Sequence, residues 1–311
     1  MQTITKDETE QKVRGDLKTS CHLAYKKGLI SGFDGNFSLK IDDNKILITP
    51  KNSHKGLICE EDFVVIDLDG NILSNNNKLP SSDFKIHIEL YKKRPDVKAF
   101  IHAHPPTLVS LSISGHNLNI PFLPDLIVNL GEIYTIPYIG LDREQECKLT
   151  IEALEKHDAL VLEKHGAVTV GKDIFNTLFK MELLEYAAKI LNNAYSNHEV
   201  NLLSDVEIEE LLNERYKLFG KELASREGKL FSNINRPIKL KDLLKKITNN
   251  KSPFIERFVS LLNELMLSTI NGTKYSGKIS KEEREELAKE LSTSFLSMTI
   301  GRFTKSSFKN N

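Results

Sequence analysis

The chain has 311 residues, 40% hydrophobic and 28% charged, which allows a large core and two structural units. Lysine plus arginine and aspartate plus glutamate each number 43, so the formal net charge is zero and the basic excess of a general nucleic-acid binder is missing. No window approaches the roughly 18 apolar residues of a membrane span. The polar start Met1-Gln2-Thr3-Ile4-Thr5 lacks the apolar core of a signal peptide, and three widely spaced cysteines (Cys21, Cys59, Cys147) read as the reduced thiols of a cytoplasmic protein.

In chain order, the pattern predicts a helix from about Glu8 to Lys27 and a turn at Gly32–Gly35. Strands follow around Phe37–Ile41, Lys45–Thr49 and Phe63–Asp67, the last entering a hairpin turn at Asp69-Gly70. Pro80 closes the next loop. Ser81 or Ser82 then serves as N-cap of a helix that has Asp83 in its first turn, runs through Ile86, Leu90 and Tyr91, and ends near Arg94-Pro95. Such a start is either an ordinary capped helix or a site where two hydroxyls and a helix N-terminus meet an anion. His87 lies one turn after Asp83, where it either orients that carboxylate or sits in the core; the core reading is preferred.

Ala99-Phe100-Ile101-His102-Ala103-His104 reads as a short buried strand stopped by Pro105-Pro106. Alternate strand residues share a face, so His102 and His104 point the same way. Two such histidines are either hydrogen-bonded core residues or two ligands of one metal ion. Further on, Ile127–Leu130 and Tyr134–Pro137 read as strands and Asp142–Lys156 as a helix. The apolar run Ala159–Leu162 leads to His165, where Gly166 is expected to give the backbone freedom to turn. His165 is suited to be a third ligand. Three protein ligands leave a coordination position open, as in catalytic zinc sites. A helix from about Lys172 to Tyr195 follows.

Beyond residue 222 the character changes. Residues 223–252 read as a polar connector, and 253–311 as a helical extension with helices Phe254–Ile270 and Lys281–Phe303. Phe254, Phe258, Leu261 and Leu265 give the first an apolar stripe; Ser280-Lys281-Glu282-Glu283 is a capping box for the second.

Five ordered motifs carry a resemblance: Gly35-Asn36-Phe37-Ser38, Ile48-Thr49-Pro50, Pro80-Ser81-Ser82-Asp83, His102-Ala103-His104-Pro105 and Lys164-His165-Gly166-Ala167. Over about residues 10–220 the chain resembles the class II aldolase and adducin-head family. The resemblance implies a three-layer α/β/α sandwich around a mainly antiparallel sheet, here with the helical extension added. It implies that His102, His104 and His165 bind a divalent metal, zinc first, with manganese or iron(II) as alternatives. It places Asn36, Thr49, Ser81 and Ser82 at the substrate phosphate and Asp83 at the acid/base position. The implied substrate is a small sugar phosphate, the implied activity a carbon–carbon lyase, and the implied assembly a homotetramer. A sugar-phosphate epimerase or dehydratase on the same site, and a non-catalytic adducin-like assembly module, are the alternatives.

The chain departs from the aldolase pattern in four places. Asp83 replaces the usual glutamate, which shortens the reach by ~1.5 Å. Lys51-Asn52 stands where the phosphate loop usually carries Thr-Gly or Ser-Gly; Lys51 could supply charge there. Asp125 and Phe219 align near two tyrosines of fuculose-phosphate aldolase. The implied chemistry is coherent without the family name: a divalent ion spreads the charge of an enediolate while a carboxylate moves the proton.

Overall fold

A computed structural model describes residues 6–140, 142–196 and 200–220, with residues 223, 230, 231, 264, 267 and 280–288. The chain divides into two units, residues 1–234 and 235–311. In the second, residues 281–288 form a helix whose start carries the expected capping box: Ser280 N–H donates to Glu283 Oε2 (2.7 Å), and Glu283 N–H to Ser280 Oγ (3.1 Å). The rest of the expected helix Lys281–Phe303, nearly all of the expected helix Phe254–Ile270 and nearly all of the connector 223–252 lie outside the described residues. No described helix is long and apolar enough to cross a membrane.

The first unit contains α1 (Lys6–Lys26), β1 (Asn36–Lys40), β2 (Lys45–Ile48), β3 (Val64–Asp67), α2 (Phe84–Lys93), β4 (Ala99–Ala103) and α3 (Pro106–Ile113). It continues with α4 (Pro124–Leu130), β5 (Tyr134–Ile136), α5 (Arg143–Leu154), β6 (Ala159–Leu162), β7 (Gly166–Gly171), α6 (Ile174–Ser196) and α7 (Asp205–Phe219). The seven strands form one sheet in the order β3-β2-β1-β4-β7-β6-β5. Every pairing is antiparallel except β5 with β6.

Strand side chains alternate, and here both faces are covered. In β4, Ala99, Ile101 and Ala103 face a core shared with α1, α3 and α6, built around Leu17, Met181 and Leu184. Phe100 faces the opposite core, where Ile88, Leu90 and Tyr91 of α2 meet Leu154 of α5. The result is the three-layer sandwich expected from the resemblance, with a mostly antiparallel sheet.

The expected strand Ile127–Leu130 is instead the end of α4. Pro124 occupies the first helical turn, and Gly131 (φ 70°) closes the helix, its N–H bonding the carbonyls of Ile127 and Leu126. A short apolar run has no period of its own, and here the proline–glycine punctuation decides for helix. Leu126, Ile127 and Leu130 are buried at helical spacing.

The start of α2 is also one step later than expected. Asp83, not a serine, occupies the N-cap position, and its side chain makes no capping bond. Ser81 and Ser82 form a turn before it, closed by Phe84 N–H on Ser81 O (3.1 Å). The Asp83 carboxylate is therefore available to the neighbouring strand.

Candidate metal centre

Three strand ends bring the histidines together. His102 is the fourth residue of β4, at the centre of the sheet, paired with Asn36 of β1 and Val168 of β7. His104 follows where β4 stops at Pro105-Pro106; its N–H is held by Leu29 O (3.0 Å). α3 starts there, and Glu185 of α6, buried, accepts from the N–H groups of Thr107 and Leu108 (3.1 Å each). A carboxylate at a helix N-terminus is favourable and fixes this junction. His165 ends the β6–β7 turn. The turn does not use Gly166 for its left-handed residue: that is Lys164 (φ 62°), whose N–H donates to Ser112 Oγ (2.9 Å). Gly166 instead lets two strands approach. A Cβ there would sit 2.4 Å from Ala103 O and 2.7 Å from His104 Cδ2. Gly35 does the same for β1; its Cβ would lie 2.5 Å from His102 O.

The nitrogen atoms of His102, His104 and His165 that could serve as ligands all lie within 4.8 Å of one another. His102 and His165 are hydrogen-bonded at Nδ1, and His104 has a carboxylate near that atom. His102 Nδ1–H donates to Ala167 O (3.0 Å). His165 Nδ1 faces Glu146 Oε1 of α5 at 3.1 Å, and His104 Nδ1 faces Asp34 Oδ2 at 3.7 Å. Asp34 sits on a loop anchored by buried Lys55, whose Nζ donates to Phe33 O (2.8 Å). With its proton on Nδ1, the neutral His102 ring leaves a bare lone pair on Nε2. His104 Nε2 and His102 Nε2 are 3.0 Å apart. At that distance the two nitrogens share either a proton from His104 or a cation. A tetrahedral zinc with Zn–N bonds of about 2.0–2.1 Å needs nitrogens about 3.3 Å apart. The donor set therefore fits a divalent ion with borderline-soft preference, and the partners on Nδ1 are the outer-shell groups that such ligands use.

The same packing favours the neutral form of His102 and His104. Burial holds the His102 imidazole well below its ordinary value, with neighbouring His104 and His165 adding to the effect. His104 is lowered first by burial and then by His165, against the pull of Asp34. A neutral imidazole is the form that binds metal.

A cavity of about 590 Å³ opens beside this centre, lined among others by Asn36, Ser82, Asp83, His102, Arg143 and His165. Asp83 is half-buried in it. Its Oδ2 accepts from Asn36 Nδ2 (2.9 Å), while Oδ1 lies 3.4 Å from Ser82 Oγ and 3.6 Å from Arg143 Nη1.

Of the expected phosphate residues, Asn36 and Ser82 line this cavity. Thr49 is buried, with its hydroxyl accepting from Phe37 N–H (3.1 Å); Ser81 is buried and ties its N–H to Thr49 O (3.0 Å). Lys51 is exposed and lines a separate hollow of about 460 Å³ with Asn52, Ser53, His54 and Lys78. Asn52 has φ 56°, so asparagine adopts the left-handed backbone that glycine would otherwise supply. Asp125 lies in the first turn of α4, and Phe219 ends α7 with the Arg215 guanidinium 5.5 Å from its ring.

Glu146, Asp34 and Arg143 were not singled out from the sequence. Glu146 and Arg143 lie on a helix whose acidic and basic residues look like an ordinary solvated face, and no spacing rule links them to His165 or Asp83.

The family model for the class II aldolase and adducin N-terminal domain matches residues 16–192. Among curated relatives, the 3-oxo-tetronate 4-phosphate decarboxylase of Haemophilus influenzae is 33% identical over 195 residues, covering 61% of this chain and 90% of its own. The L-fuculose phosphate aldolase of Methanococcus vannielii is 34% identical over 172 residues, 55% of this chain and 90% of that one. Among solved structures, YgbL from Klebsiella pneumoniae superposes with a TM-score of 0.60 at 27% identity, covering 65% of this chain and 98% of that one. Nearly the whole of each relative thus falls on about three fifths of this chain.

Proposed function

The chain belongs to the class II aldolase and adducin N-terminal domain family, and from that premise we propose that it is a metal-dependent lyase that makes or breaks a carbon–carbon bond in a small sugar phosphate. The observation that carries the reading is the convergence of His102, His104 and His165, with candidate ligand nitrogens within 4.8 Å of one another, beside a carboxylate that is not used for capping. His102, His104 and His165 would hold a divalent ion, zinc first. When bound, that ion supplies Lewis acidity toward the substrate carbonyl and the negative charge that develops next to it. Asp83 moves the proton, a contribution of typically ~10²–10⁴-fold. Ser82 and the second N–H of Asn36 offer donors to the substrate, and Lys51 offers charge from the hollow it lines. The cavity volume falls in the range of roughly 300–1,000 Å³ usual for small-ligand sites. A homotetramer is part of this reading and is checked by sedimentation.

Decarboxylation is the second form of the same carbon–carbon chemistry. It is favoured by Arg143, a cation at the cavity beside Asp83 that could receive a substrate carboxylate.

The test combines metal content with product analysis. Purified protein and its His104→Ala variant are assayed for bound zinc, manganese and iron, then incubated with L-fuculose 1-phosphate and with 3-oxo-tetronate 4-phosphate. About one divalent ion per chain, lost in the variant together with turnover, supports the reading. Aldehyde release identifies an aldolase and carbon dioxide a decarboxylase; rearranged ketose phosphate or released water would instead indicate an epimerase or dehydratase. Absence of metal after incubation with all three ions would refute it and favour the assembly-module alternative.

A further inference from the structure

Behind Asp83 runs a chain of buried polar groups that metal binding does not use. Asn36 Oδ1 faces His87 Nε2 at 2.7 Å; His87 Nδ1 faces Ser38 Oγ at 2.7 Å; and Ser38 Oγ lies 2.8 Å from the Tyr91 hydroxyl. Asn36, Ser38, His87 and Tyr91 are all buried, so none of these bonds is shared with bulk water.

Chemistry leaves this chain one direction. An ionised carboxylate only accepts, so the Asn36 amide must present its NH₂ to Asp83 and its oxygen to His87. That oxygen requires a proton on His87 Nε2. Nδ1 is then bare and accepts from the Ser38 hydroxyl, whose oxygen in turn accepts from Tyr91 O–H; Ser38 O, 3.2 Å from the Tyr91 hydroxyl, is a second acceptor. The ring cannot rotate freely, because Phe100 lies against it with centroids 3.9 Å apart. Burial lowers the His87 pKa to about 3, which keeps the ring neutral.

We propose that His87 is a positioning residue: with Ser38 and Tyr91 it locks the Asn36 amide so that Asp83 Oδ2 is held and Asp83 Oδ1 is the oxygen that exchanges the proton with substrate. Oδ1 is the atom left toward Ser82, Arg143 and the cavity. This rests on the reading of Asp83 as acid/base and deepens it. The lock matters because aspartate is the shorter carboxylate, and a misplacement of about 1 Å can cost on the order of 10²-fold.

The test has a part that needs no substrate. In zinc-loaded protein labelled with ¹⁵N-histidine, the His87 resonances, assigned by their loss in His87→Gln, report the tautomer. The expected result is a neutral ring protonated on Nε2 from pH 5 to pH 8. A proton on Nδ1, or a charged ring in that range, overturns the proposal. The second part measures turnover of whichever of L-fuculose 1-phosphate and 3-oxo-tetronate 4-phosphate the protein consumes. His87→Phe keeps a ring but removes the donor to Asn36, and kcat should fall about 10²-fold with KM within about twofold and zinc content unchanged. His87→Gln restores an N–H near the Nε2 position and should recover most of kcat, which a role in folding alone would not produce. Full activity of His87→Phe, with Asp83→Asn inactive, overturns the lock. Full activity of Asp83→Asn instead overturns the acid/base reading. If His87→Phe does not fold, the tautomer measurement decides.

Discussion

Replacing His87 with glutamine should flatten the acid side of the stability profile by an amount that can be worked out in advance. His87 is fully buried, and burial lowers its pKa from 6.5 to about 3. Between those values the unfolded chain carries the proton and the folded chain does not, so stability falls as pH falls. The stability is fully present above about pH 6.5 and is lost progressively toward pH 3. From the two pKa values, going from pH 7 to pH 5 costs about 2 kcal/mol through this residue alone. For a domain of this size that corresponds to roughly 4–8 °C in Tm. Glutamine fills a similar space and donates to Asn36 Oδ1, but it does not titrate. The assay is urea unfolding of wild type and His87→Gln at pH 7 and pH 5, with chelator present so that metal release does not contribute. His102 and His104, also depressed by burial, act in both proteins and cancel in the difference. The wild type should lose about 2 kcal/mol more than the variant over that interval. An equal loss in both proteins would refute the reasoning, because it would mean that the folded protein accommodates a charged His87.

Gly166→Ala should cost about 1–3 kcal/mol by overpacking, because the added methyl meets the Ala103 carbonyl at 2.4 Å and His104 Cδ2 at 2.7 Å. It should also weaken zinc binding by moving His104; unaltered denaturation midpoint and zinc affinity would show that the strands have room to separate. Glu146→Gln weakens the acceptor on His165 Nδ1 and should lower zinc affinity about 10–100-fold in competition with a chromophoric chelator. Equal affinity would remove Glu146 from any orienting role. A thiol reagent should modify exposed Cys59 in the native protein and Cys21 only on unfolding, since Cys21 is buried and its thiol is pushed up by burial. Modification of Cys21 at the Cys59 rate would show that the core beneath α1 opens readily.

Much of the site was legible because it is local. His102 and His104 share a strand face by the two-residue period, and the proline pair after them ends the strand. The capping box at Ser280 and the helix closed at Arg94 follow from nearest-neighbour chemistry. Where the run was short and apolar, as at Ile127–Leu130, period alone had nothing to grip and the expectation was a strand. Gly166 shows the same limit: its neighbours along the chain suggest a turn, while its neighbours in space, on β4, are what a side chain would strike.

The sequence by itself therefore determined which histidines could share a face, that the strand carrying them stops at the proline pair, and that a carboxylate lies near the start of the helix after Pro80. Only the tertiary structure decided what those groups face. Glu146 reaches His165 from α5, Asp34 reaches toward His104 from a loop, and Asn36 is set opposite His102 by strand register. The physical reason is that secondary structure is written in short periods along the chain. A ring's tautomer, a carboxylate's hydrogen bonds and the space beside a glycine are set by atoms tens of residues away, brought within bonding distance when the two faces of the sheet are buried.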